Sequence, residues 1–154
     1  MRINFYDARI SDGDRTILVK EKGINYESFQ MNCPKKISRM LQKLLHMGEL
    51  AEEHCYMIAL NASCRILGIF FLSKGTVNES LVSPREIFIR AALIGAVQII
   101  LCHNHPSGNP IPSECDIRLT KRLKDGGELL NICLADHIII GHDSYLSFKE
   151  AKLL

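Results

Sequence analysis

Val97-Gln98-Ile99-Ile100-Leu101-Cys102 is a short, mostly apolar run rich in β-branched residues, the pattern of a strand covered on both faces. A chain built around such a strand needs material above and below it, so the expected class is mixed α/β, a central mixed sheet flanked by helices. Its 154 residues, 47% hydrophobic and 23% charged, suit one compact domain with a real core.

The flanking segments supply those layers. Residues 3–10 and 16–26 read as strands, and the turn-forming cluster Ser11-Asp12-Gly13-Asp14 between them can close a hairpin. Asn32 and Pro34 open a helix in which Ile37, Met40, Leu41, Leu44 and Leu45 recur at helical spacing, with Gly48 as its stop. Its opposite side carries Lys35, Lys36, Arg39 and Lys43. A meander follows, with strands at 55–60 and 65–72, a weaker one at 81–82, and turns at Asn61-Ala62-Ser63 and Lys74-Gly75-Thr76. Ser83-Pro84-Arg85-Glu86 starts a second helix, with Ser83 as its N-cap, running to about Gly95. A third helix spans 116–125 and ends at Gly126-Gly127, before strands at 131–140 and 145–148.

Charge and cysteine usage narrow the classes. A formal charge of +2, with both signs interleaved, gives no argument for nucleic acid. The six cysteines form no CxxC pair and no dense framework, so they read as reduced thiols of a cytoplasmic protein. The N-terminal residues lack a signal-peptide core, and no apolar run approaches the roughly 20 residues that span a bilayer, so neither secretion nor membrane insertion is expected.

Chemistry concentrates where the buried strand ends. Residues i and i+2 of a strand share a face, so His103 and His105 can offer ring nitrogens to one ion while Asn104 points away. Three of the five prolines, Pro106, Pro110 and Pro112, stiffen the turn that follows, and Asp116 can return to the histidines from the first turn of a helix. Two imidazoles and a carboxylate make a three-ligand site with a fourth position for water, the arrangement of catalytic zinc. Ser113-Glu114-Cys115-Asp116 is equally a capping box, in which both residues only satisfy helix-end amides. Asp116 is not expected to fold back on the cap and bind metal together. Hydrolysis also needs a base, and Glu52 or Glu53, just before a strand, can supply it. His137, inside an apolar strand, reads as a hydrogen-bonded core residue rather than a fourth ligand.

At these residues the chain resembles the JAB/MPN metallopeptidases of the JAMM type, whose pattern is an upstream Glu, then His-x-His, seven residues, Ser, two residues and Asp. His103, His105, Ser113 and Asp116 fall on every position of it. Ser83-Pro84-Arg85-Glu86, Ala96, His103 through Gly108, Leu119-Thr120 and Asp136 through Gly141 narrow the resemblance to the RadC-like branch. It covers about residues 50–150, which divides the chain into an N-terminal extension at 1–49 and a RadC-like JAB/MPN domain at 50–154.

The resemblance implies zinc bound by His103, His105 and Asp116. Glu53 would be the base for the zinc-activated water, and Ser113 would stabilise the oxyanion; Glu52 is one residue away from the same role. It implies hydrolysis of a peptide or isopeptide bond in a peptide or protein substrate, including one carrying a ubiquitin-like modifier. Two alternatives stand beside this: a non-catalytic MPN scaffold, and a DNA-associated accessory protein using Lys35, Lys36, Arg39 and Lys43. Residues 1–50 show no glycine-centred hairpin pair of the helix-hairpin-helix kind found in longer RadC-like proteins.

Overall fold

A computed structural model describes residues 1–27, 33–75 and 82–154. Its elements in chain order are β1 (Arg2–Ile10), β2 (Thr16–Asn25), α1 (Pro34–Leu45), a 3-10 turn (Met47–Glu49), β3 (Glu53–Leu60), β4 (Ile66–Gly75), α2 (Pro84–Leu93), β5 (Gln98–Asn104), α3 (Glu114–Leu130), β6 (Cys133–Ile140) and β7 (Tyr145–Ser147). Among the described residues the strands form one mixed sheet in the order β2-β1-β4-β3-β5-β6-β7. The β1/β4 and β5/β6 pairs are parallel and the other neighbours antiparallel. Helices cover both faces, as expected of the mixed α/β class.

The central strand behaves as its sequence predicts. Ile99, Leu101 and Cys102 are fully buried and Ile100 nearly so, because successive side chains of β5 enter different cores. Ile100 and Cys102 join Ile58, Leu60, Ile138 and the apolar stripe of α1, Ile37, Met40 and Leu41. Ile99 and Leu101 join Met57, Phe70, Ile87 and Phe88 of α2 and Leu123 of α3. The histidines therefore have a fixed side: His103 follows the parity of Leu101 and faces α3.

Residues 1–25 form a hairpin that continues the sheet, with Phe5 and Tyr6 beside Ile69 and Phe70 of β4. The basic residues of α1 lie on its exposed face, across the sheet from the histidines. Lys43 reaches the Glu27 carboxylate at 3.7 Å and lies 5.8 Å from the Tyr26 ring centroid.

Several boundaries differ from expectation. Helix α1 ends on His46, left-handed at φ 50°, and Gly48 sits in the 3-10 turn beyond it. Strand β4 runs through Lys74 and Gly75, which were expected in a turn, since β3 is long enough to pair with them. Ser83 makes no side-chain cap, and Glu86 bonds Arg85 and Arg90 instead. Val82 is in no strand. Asn32, Thr76 and Leu81, also assigned to elements from sequence, lie outside the described residues.

The largest difference is at Gly126-Gly127, which does not stop α3. The helix runs on to Leu130 and closes on Asn131, left-handed at φ 55°. Gly127 is there for closeness: a Cβ would lie 2.4 Å from the Ile132 carbonyl oxygen, where the chain turns back into β6. Alanine normally stabilises a helix interior by about 1 kcal/mol over glycine. Gly127→Ala is expected to reverse that sign and destabilise by about 1–3 kcal/mol in denaturant melts, since backbone must move to admit the methyl group.

Candidate metal centre

Three elements meet at the C-terminal end of β5. The β3/β5 register sets Cys55 opposite His103, and Glu53 stands two residues before Cys55 at the head of β3. On the other side the N-terminus of α3 brings in Asp116. The ligand atoms of His103, His105 and Asp116 lie within 4.8 Å of one another. His103 Nε2 is 3.0 Å from His105 Nε2 and 3.2 Å from Asp116 Oδ1, and His105 Nε2 is 3.5 Å from Asp116 Oδ2. His103 and Asp116 are buried and His105 is half-covered.

This donor set fits a metal ion. The Nδ1 atoms of both rings are engaged outward, that of His105 on the Asn109 carbonyl at 2.9 Å and that of His103 on His137 at 2.9 Å. Both Nε2 atoms consequently face the carboxylate and each other. The contact with Asp116 raises the His105 pKa despite burial, and a metal ion at Nε2 would compete with a proton for that nitrogen. Burial outweighs the nearby carboxylate at His103 and pushes its pKa down to about 4, keeping the ring neutral as a ligand must be.

Asp116 makes the cap and also lies in the cluster that could hold a metal ion, the two roles that sequence reasoning set against each other. Its Oδ2 accepts from the Ser113 amide at 2.7 Å and from the Ser113 hydroxyl at 2.6 Å, and its own amide donates to Ser113 Oγ at 3.2 Å, completing the capping box. Its Oδ1 is left for His103. A carboxylate has two oxygens with about four acceptor positions, so cap and ligand divide between them. Burial alone would raise its pKa, but hydrogen bonds from His105 and Ser113 and the nearby His103 hold it well below the usual carboxylate range.

The two glutamate candidates separate. Glu52 is half exposed and ion-paired with Lys74. Glu53 is partly buried at the start of β3, and its pKa is raised, first by burial and then by the charge of Asp116, with His105 opposing. Its titration thus feels two members of the cluster. Asn104, between the histidines, points to the other face and is 1% exposed. Its side-chain oxygen accepts from the His54 amide at 2.8 Å, and its NH2 donates to the Glu52 carbonyl at 3.1 Å. It staples the backbone on both sides of Glu53 to the histidine strand. That role was visible only in outline, as a polar residue on an apolar run, because its partners lie fifty residues away.

The turn after His105 is held by a hydrogen bond from the Gly108 amide to the His105 carbonyl at 2.9 Å. Gly108 has φ 79°, and a Cβ there would lie 2.2 Å from the His142 ring, so close packing and backbone conformation both require glycine. His137 is the hydrogen-bonded core histidine expected, fully buried. Thr120, one helical turn after Asp116 on the same face, donates to the Asp116 carbonyl at 2.7 Å and touches His137. Its i+4 spacing from Asp116 was the available signal.

The family model of the RadC-like JAB domain matches residues 31–153. The chain belongs to the RadC-like JAB domain family. Relatives include a UPF0758 protein of Clostridium acetobutylicum, 42% identical over 130 residues, covering 84% of this chain and 56% of the relative. A UPF0758 protein of Desulfitobacterium hafniense is 44% identical over 124 residues, covering 80% of this chain and 54% of the relative. One of Enterococcus faecalis is 43% identical over 128 residues, covering 81% and 55%. The chain thus spans a little over half the length of these relatives. Among the described residues no helix is long and apolar enough to cross a membrane, and all six cysteines are unbridged.

Proposed function

We propose that this RadC-like chain is a zinc-dependent metallopeptidase that hydrolyses a peptide or isopeptide bond. The observation that carries the reading is the convergence of His103, His105 and Asp116 beside a glutamate, Glu53, whose pKa is raised. Two neutral imidazoles and one carboxylate suit zinc and leave room for a fourth ligand. Zinc held there would supply Lewis acidity toward a carbonyl and acidify a water molecule.

The chain's own groups would handle the protons. Glu53 takes a proton from the attacking water as its oxygen bonds to the substrate carbonyl carbon. As the carbon–nitrogen bond breaks, the same carboxyl gives that proton to the departing amine. A raised pKa serves both halves of the cycle: it makes the Glu53 carboxylate a stronger base toward the water and keeps more of the carboxyl protonated for the departing amine. Ser113 would stabilise charge on the carbonyl oxygen by turning its hydroxyl proton from Asp116 Oδ2 toward the substrate, while its amide keeps Asp116 in place.

The proposed substrate is a peptide or protein, including one carrying a ubiquitin-like modifier. The unbridged thiols suit a reducing compartment, and the cytoplasm is the proposed location. Mass spectrometry of peptide and isopeptide-linked substrates incubated with the zinc-loaded chain tests the activity. Cleavage that stops with chelator and returns with zinc is expected; no cleavage by fully loaded protein would overturn the reading.

A further inference from the structure

His137 is buried behind the cluster, and its ring stacks on Phe148 with centroids 4.6 Å apart and planes 18° apart. Its Nε2 lies 2.9 Å from His103 Nδ1, and its Nδ1 lies 2.6 Å from Thr120 Oγ1. A hydroxyl carries one proton, and Thr120 donates its proton to the Asp116 carbonyl at 2.7 Å, the back-bond habitual for threonine in a helix. What Thr120 turns to His137 is therefore a lone pair, so the proton between them sits on His137 Nδ1. A neutral His137 then has a bare Nε2, and the proton of the next contact must come from His103 Nδ1. With that nitrogen protonated, His103 Nε2 is left bare and faces Asp116 and His105.

We propose that Thr120 and His137 form a one-way hydrogen-bond relay that locks His103 in its Nδ1–H tautomer, leaving Nε2 as a standing donor for the metal. They are positioning residues. The relay starts on the Asp116 backbone and ends on His103, so the helix that delivers one ligand also sets the tautomer of another. Reversing the relay would turn the Thr120 proton to His137, leave the Asp116 carbonyl without its donor, and place a hydrogen on His103 Nε2, where it would block coordination. The metal-binding consequence rests on the proposed metal centre; the tautomer itself does not.

The test has two parts, both on the full chain. Long-range proton–nitrogen NMR of the metal-free, histidine-labelled protein reads the His103 tautomer, with His103→Gln assigning the signal. An Nδ1–H ring is expected, and an Nε2–H ring overturns the relay. Zinc affinity by chelator competition then compares wild type with His137→Gln, His137→Leu, Thr120→Ser and Thr120→Val. Glutamine offers an amide oxygen to the His103 proton, and serine keeps the hydroxyl, so both should bind close to wild type. Leucine and valine should lose about 10–100-fold in zinc affinity and show a mixed His103 tautomer. Valine is nearly isosteric with threonine and covers the case in which leucine fails to fold. Wild-type affinity in a folded leucine or valine variant overturns the proposal. A wild type that shows the Nδ1–H ring yet takes up no zinc supports the relay and overturns the metal centre, so the two failures are distinguishable.

Discussion

Glu53→Gln is expected to bind zinc like wild type while hydrolysis falls by about 10²–10⁴-fold, the usual contribution of a positioned acid–base group. Glutamine matches glutamate in shape, keeps its place at the head of β3 and cannot accept a proton. Because burial penalises the ionised Glu53, the neutral variant should melt no lower than wild type. Glu52→Gln is the control: Glu52 is turned toward Lys74 at the surface, and its loss should leave hydrolysis near normal. Full activity in Glu53→Gln would remove Glu53 from the reaction, and a matching loss in Glu52→Gln would shift the role by one residue.

The histidine pair was legible in the sequence because strand periodicity is local: one apolar run and a spacing of two place His103 and His105 on one face. The helical face of α1 was legible for the same reason. The sheet order was legible only in part: the β3/β4 meander is local, but β1 lies against β4 and β3 against β5 through pairings distant in sequence. Gly126-Gly127 shows a different limit. A glycine that ends a helix and one that lets a helix approach another backbone are the same letter, and only the Ile132 carbonyl against Gly127 tells them apart. Asp116 was read as cap or ligand because a sequence does not show that its two oxygens face different partners.

That division predicts a second large effect. Asp116→Ala removes the proposed metal ligand and the acceptor for two Ser113 donors together. Zinc affinity should fall more than about 100-fold, beyond the range typical of an outer-shell partner. Stability should fall by about 0.5–2 kcal/mol, the usual cost of a lost cap. Asp116→Asn separates the roles. Its amide oxygen can still accept from Ser113, so thermal melting should return most of the stability, while the loss of negative charge keeps zinc binding weak. If alanine loses neither zinc nor stability, the carboxylate serves neither purpose; if asparagine restores both, its charge is irrelevant to the metal.

Zinc K-edge X-ray absorption, with metal content measured on the same samples, tests the centre itself most directly. Wild type should hold one zinc per chain in a shell of nitrogen and oxygen scatterers that includes two imidazoles. Asp116→Ala should lose most of that zinc under equal conditions. Sulfur in the wild-type shell would place the metal on the cysteines, and zinc no higher than in Asp116→Ala would mean that His103, His105 and Asp116 do not form its site.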